Sequence, residues 1–128
     1  MKMKNSKIKE FVKETYGKLA TSERSCCVDS SWLPTGVELA KLVGYSRDEL
    51  NDLPKKAIET FAGCGNPVAL SELRKGETVL DIGSGGGLDA FIAAKKVGTS
   101  GRVLGVDFTK EMVRKAMRNA KELGLKNV

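Results

Sequence analysis

The stretch Val79-Leu80-Asp81-Ile82-Gly83-Ser84-Gly85-Gly86-Gly87-Leu88-Asp89 constrains this chain more than any other part of it. An apolar, β-prone run reaches a carboxylate and a glycine-dense turn, and an apolar helical pattern begins at once, which predicts strand, loop and helix in that order. Glycine serves such a turn twice. It takes the backbone angles that a tight reversal demands, and without a side chain it lets a ligand lie against the main chain, where the helix N-terminus offers unpaired N–H donors. The next apolar run, Arg102-Val103-Leu104-Gly105-Val106-Asp107, predicts a second strand ending in an acid twenty residues after Gly87. From that place a carboxylate takes both hydroxyls of a ribose. Two strands joined by a crossover helix predict an α/β fold with a parallel sheet.

The spacing Asp81-x-Gly83-x-Gly85-x-Gly87 separates two kinds of nucleotide ligand. Dinucleotide sites aim a glycine turn and a helix dipole at a pyrophosphate. A carboxylate just ahead of the first glycine would repel that group, but it suits a ligand carrying an ammonium and a sulfonium, as S-adenosylmethionine does. The pattern resembles the first motif of the Rossmann-like methyltransferases, with Asp107 as their ribose-binding acid. On that resemblance the cofactor contacts fall on Asp81, Gly83, Ser84, Gly85, Gly87, Asp89, Asp107, Phe108 and Thr109.

Composition narrows the partners. A chain of 128 residues, 41% hydrophobic, makes one modest domain. No apolar run approaches a membrane span, and the first eighteen residues interleave six lysines with Ile8, Phe11, Val12 and Tyr16, which is not a signal peptide. Their spacing is one face of an amphipathic helix, with Asn5 or Ser6 as its cap and the lysines on a solvated outer face. The formal charge of +6 would attract nucleic acid, yet no aromatics are interleaved with the basic residues and no nucleic-acid motif is present, so that partner is set aside. The absence of histidine removes the commonest general base and metal ligand. Cys26 and Cys27 are adjacent and poorly placed to pair with each other, and their spacing to Cys64 does not match a zinc site. Three cysteines without a signal sequence read as reduced thiols in a cytoplasmic protein.

Short helices are expected ahead of the first strand. Val37 to Leu42 reads as a helix closed by Gly44, and Ser46-Arg47-Asp48-Glu49 is a capping box opening another that Pro54 follows. Lys55 to Phe61 continues helical and breaks at Gly63-Cys64-Gly65, and Asn66-Pro67 restarts a helix running to about Leu73. Arg74 to Glu77 turns the chain into the first strand, Leu88 to Val97 is the crossover helix, and Gly98 to Gly101 is a turn. Thr109 is expected to cap a last helix whose Met112, Val113, Ala116, Met117, Ala120 and Leu123 form one apolar stripe, ended by Gly124, with the methionines as core filling. The methyltransferase resemblance then implies that residues 1–66 are a helical N-terminal cap with a thiol segment and 67–128 the first half of the S-adenosylmethionine-binding Rossmann-like domain.

Taken together, Tyr16-Gly17, Cys26-Cys27, Leu42-Val43-Gly44-Tyr45-Ser46, Gly63-Cys64-Gly65-Asn66-Pro67, the glycine loop with Leu88-Asp89, and Gly105-Val106-Asp107-Phe108-Thr109 resemble the arsenite methyltransferases of bacteria and archaea. The most specific element is Gly-Cys-Gly-Asn-Pro, because a generic methyltransferase has no reason to keep a thiol there. The resemblance implies the Rossmann-like class I methyltransferase fold and methyl transfer from S-adenosylmethionine to trivalent arsenic. It also implies that Cys64, with Cys26 or Cys27, holds the arsenic as catalytic ligands. Trivalent arsenic is thiophilic, and once thiolates hold it, its lone pair can accept a methyl group without a general base. Proteins of this family are about twice this length or longer, with two further cysteines and an adenine-supporting motif in their second half. By that comparison the chain is expected to be an N-terminal part with an incomplete sheet, completed by a missing C-terminal half or by self-association. Phe108 stands where methionine is common in the family. Two other functions fit the same residues: a methyltransferase of this fold acting on another small molecule, and a noncatalytic thiol protein that captures metalloid.

Overall fold

The computed structural model describes residues 5–21, 35–63 and 65–128, so Cys26, Cys27 and Cys64 all lie outside the described residues. In chain order the elements are α1 (Asn5–Thr21), α2 (Gly36–Leu42), α3 (Arg47–Asn51), α4 (Lys55–Glu59), α5 (Pro67–Leu70), β1 (Thr78–Ile82), α6 (Leu88–Val97), β2 (Arg102–Val106) and α7 (Lys110–Glu122). Strands β1 and β2 pair in parallel, from Thr78 against Arg102 to Ile82 against Val106, joined by α6 as their crossover.

Side-chain alternation divides the sheet into two unlike faces. Val79 and Val103 point toward α6, where Phe91, Val97 and Val103 are fully buried. The same core takes Ala40, Tyr45, Leu50, Ala57, Ile58, Phe61 and Val68 from the short helices that precede the sheet, so residues on both sides of position 66 share one apolar cluster. On the opposite face Leu80 and Ile82 stand beside Leu104 and Val106 and are exposed, Ile82 by 79%. Among the described residues nothing covers that face, and β1 has β2 as its sole strand partner. No helix among the described residues is long and apolar enough to cross a membrane.

Several boundaries follow local hydrogen bonding. The Ser46 capping box forms as expected, and a second one opens α2, where Thr35 and Glu38 cap each other's backbone N–H groups. Tyr45 N–H reaches Ala40 O and Gly44 N–H reaches Lys41 O, with Gly44 at φ 98°, so α2 ends in a Schellman motif. Helix α4 ends at Glu59 rather than Phe61, because Phe61 N–H bonds back to Ile58 O in a tightened last turn. Helix α5 stops at Leu70, short of Leu73: Ser71 is extended and its hydroxyl donates to Val68 O. Asn5 and Ser6 lie inside α1 rather than capping it. Ile8 and Phe11 are exposed, and α1 docks through Leu19 and Ala20 onto Met112 instead. Thr109 occupies the N-cap position of α7 without making a side-chain cap bond. On α7 Met117 is exposed while Lys115 and Asn119 are buried, a departure from the stripe that hydrophobicity suggests.

Candidate functional site

The two strands deliver their acids to one end of the sheet, and the glycine loop crosses that end. Gly83 and Ser84 both donate N–H to the last carbonyl of β2, that of Val106, at 2.7 and 3.0 Å. Gly83, Gly85 and Gly87 all have positive φ, at 82°, 51° and 98°. A Cβ added to Gly83 or Gly85 would meet nothing, whereas one on Gly86 would fall 2.3 Å from Thr60 Oγ1 and one on Gly87 2.2 Å from the Phe91 ring. The loop is thus pressed onto the core at its later glycines and left bare at its earlier ones, where a ligand can approach the main chain.

Asp107 holds the loop's shape. Its Oδ2 accepts the Gly85 N–H at 3.0 Å and its Oδ1 accepts the Thr109 N–H at 2.8 Å. From the other side the buried Asn119 donates its amide to Gly86 O at 3.0 Å. Sequence reading missed Asn119. Its only signal there was a polar residue within a helix whose neighbours read as core.

Asp81 and Asp89 make a different environment. Burial, then the negative charges of Asp89 and Asp107, push the Asp81 carboxyl up to about 6, against the downward pull of the Ala90 N–H that it accepts. Its Oδ2 is buried and has no hydrogen-bond partner. Burial raises Asp89 as well, opposed by the Tyr45 hydroxyl, which donates to its Oδ1. Tyr45 itself is pushed well above the usual phenol range, first by burial and then by that bond and the surrounding carboxylates.

A cavity of about 360 Å³ opens over this arrangement. Of the residues expected to bind cofactor, Gly83, Ser84, Gly85, Asp89, Asp107 and Phe108 line it. Asp81, Gly87 and the fully buried Thr109 do not; they shape it from beneath or beside. Helix α1 adds Val12 and Tyr16, and the Tyr16 ring meets Phe108 edge to face at 6.5 Å. Ala62 and Gly63 bring the cavity to the residue before Cys64 in the chain. Among the described residues its lining contains no lysine or arginine. A larger hollow of about 620 Å³, lined by Lys55, Lys56, Lys115 and Arg118, holds none of the expected residues. The smaller cavity is the candidate site because the strand-end acids and bare glycines converge there. Among the described residues no group of three side chains is placed to hold a metal ion.

Residues 73–128 match the family described as a methyltransferase domain. The chain is 38% identical, over 94% of its length, to an arsenite methyltransferase of Halobacterium salinarum, covering 33% of that protein. It is 34% identical, over 87% of its length, to an arsenite methyltransferase of Aquipseudomonas alcaligenes, covering 30% of that protein. Among solved structures, an arsenic(III) S-adenosylmethionine methyltransferase from Chlamydomonas reinhardtii superposes with a TM-score of 0.55 at 40% identity, over 63% of this chain and 28% of that one. The chain spans about a third of the length of the curated relatives it matches. These likenesses bear out the Rossmann-like methyltransferase fold, represented here by two parallel strands and their helices.

Proposed function

From the methyltransferase domain that residues 73–128 carry, we propose that this chain supplies the cofactor-binding and metalloid-binding part of an S-adenosylmethionine-dependent arsenite methyltransferase. One observation carries the cofactor choice: among the described residues the charged groups lining the cavity are Asp89 and Asp107, with no cation among them. A pyrophosphate would meet two carboxylates there, whereas an ammonium and a sulfonium meet complementary charge.

The residues present fit S-adenosylmethionine. Asp107, already fixed by two backbone N–H donors, offers its remaining lone pairs to the ribose hydroxyls. Asp89 lines the cavity and offers its charge to the ammonium end, with the buried Asp81 carboxyl behind it. Phe108 and Tyr16 provide an apolar wall, and Gly83 and Gly85 leave room against the main chain. When bound, the cofactor supplies a methyl group made electrophilic by its sulfonium.

The acceptor reading rests on the thiols. Cys64, together with Cys26 or Cys27, would hold trivalent arsenic as substrate, because soft sulfur ligands suit a thiophilic metalloid. Each S–As bond forms as an arsenite hydroxide leaves with the thiol proton as water, so no histidine is required to generate the thiolates. The protein's share of the chemistry is to position the acceptor and exclude water. Such thiols need a reducing compartment, which makes the cytoplasm the proposed location. Residues 1–66 would then act as the thiol-bearing cap and 67–128 as the first half of the cofactor domain.

Calorimetric titration separates the readings. S-adenosylhomocysteine should bind and NADH should not; preference for NADH would overturn the cofactor assignment. Arsenite should bind the native chain and be lost from Cys64→Ser, while undiminished binding by that variant would redirect the reading to a methyltransferase of this fold with another acceptor.

A further inference from the structure

The Tyr45 hydroxyl has one proton and faces two acceptors. It lies 2.5 Å from Asp89 Oδ1 and 3.4 Å from the carbonyl oxygen of Gly65. Asp89 lines the candidate cavity, and Gly65 directly follows Cys64 in the chain. Two further ties hold the same stretch to the same turn. Asn66 donates its amide to Gly44 O at 3.2 Å, and the Tyr45 ring packs edge to face on Phe61 at 5.4 Å. The described residues flanking Cys64 are therefore anchored on both sides to Gly44 and Tyr45, and Tyr45 alone among these anchors also touches the cavity's acid.

We propose that Tyr45 is a positioning residue that couples occupancy of the cofactor cavity to Gly65, the residue that follows Cys64 in the chain, by passing its single hydrogen bond between Asp89 and the Gly65 carbonyl. With the cavity empty, the charged acceptor Asp89 takes the proton, and the Gly65 carbonyl is held only by a long contact. A cationic ligand group set against Asp89 weakens it as an acceptor. The hydroxyl then favours Gly65, and its carbonyl gains a closer hydrogen bond. Linkage makes the effect reciprocal, so a ligand held by the Cys64 thiol that favours the Tyr45–Gly65 bond tightens cofactor binding by the same factor. The role explains why a tyrosine sits here: Tyr45 is buried in the core, where phenylalanine would pack equally well.

This inference rests on the cofactor reading of the cavity, and its test keeps the two apart. The rate of Cys64 alkylation by iodoacetamide, read by mass spectrometry of the Cys64 peptide, is measured with and without S-adenosylhomocysteine in the native chain and in Tyr45→Phe. Saturating ligand should slow the native rate by about fivefold or more and the variant rate by less than about twofold, the scale of an ordinary coupling free energy. Calorimetry should show that the variant still binds the ligand. Equal slowing in both proteins would mean that the ligand merely covers the thiol, and would overturn the coupling. A native rate unchanged by bound ligand would overturn it while leaving the cofactor site standing; absence of binding to the native chain would overturn both. Should Tyr45→Phe fail to fold, 3-fluorotyrosine incorporated into Tyr16→Phe leaves Tyr45 as the sole tyrosine. Its fluorine resonance should then shift when the ligand binds, and an unmoved resonance would equally sink the proposal.

Discussion

Asp81 and Asp107 stand at the same end of neighbouring strands, yet the protein uses them in opposite ways. Asp107 gives both oxygens to backbone N–H groups, at Gly85 and Thr109, and so is part of the loop's own construction. Asp81 keeps one oxygen buried and unpartnered and is held near a carboxyl pKa of about 6. Two carboxylates at adjacent strand ends thus separate into one that shapes the site and one whose charge is held in reserve. The difference comes from surroundings, since one faces a turn rich in N–H donors and the other faces like charges across a desolvated gap.

The sharpest test of that contrast removes the shaping acid. Asp107→Ala should leave the Gly85 and Thr109 N–H groups without their acceptor and take away the proposed ribose contact, weakening S-adenosylhomocysteine binding by roughly 1.5–3 kcal/mol and lowering stability as well. Calorimetry and a urea melt read the two effects. Loss of affinity with an unmoved melt would show that the acid binds ligand without building the loop.

Asp81→Asn should act with the opposite sign on stability. Because the folded pKa of Asp81 is raised, the native state keeps a proton that the unfolded chain has already lost between about pH 4 and pH 6. Its contribution to stability is therefore present below that window and disappears as pH rises through it. The full linkage is about 3 kcal/mol, and solvent screening of a partly exposed carboxyl brings the loss to the order of 2 kcal/mol. The variant should lack this slope and melt higher than the native chain at pH 7. Urea melts at pH 4, 5 and 7 decide it, and parallel curves for the two proteins would remove Asp81 from the account.

A smaller effect is expected at Asn119. Replacing it with alanine deletes one bond to Gly86 O and should cost about 1 kcal/mol of stability, leaving the pH dependence set by Asp81 intact. A change in that dependence would mean that the two sides of the loop are not independent supports.

Much of this site was legible in the chain because its information is local. The strand, loop and helix order, the positive-φ glycines and the place of Asp107 all follow from residue types within a few positions of one another. Asn119 and Tyr45 were not legible as site residues. Their partners lie 33 and 44 positions away, and nothing nearby in the sequence marks a helical asparagine as a donor to the loop or a core tyrosine as a donor to the first turn of α6. The buried stripe of α7 escaped for a related reason. Hydrophobicity ranks Met117 above Lys115, but the face turned inward is decided by where α1, α4 and the loop dock, and it buries Lys115 and Asn119. The roles of Cys26, Cys27 and Cys64 rest on sequence alone, since these residues lie outside the described ones.

The strand register has a consequence for fidelity. Thr78 meets Arg102 and Ile82 meets Val106, a constant offset of 24 residues. Slipping β2 by one residue would exchange its faces, turning Leu104 toward α6 and Val103 away from it. It would also displace Asp107 by about 3.3 Å relative to β1, carrying its carboxylate away from the Gly85 N–H that it now meets at 3.0 Å. A mispaired sheet would therefore be a sheet with a broken pocket. Zippering the two strands correctly and assembling the ligand cradle are a single event, and any ligand that favours the cradle also proofreads the alignment of the strands beneath it.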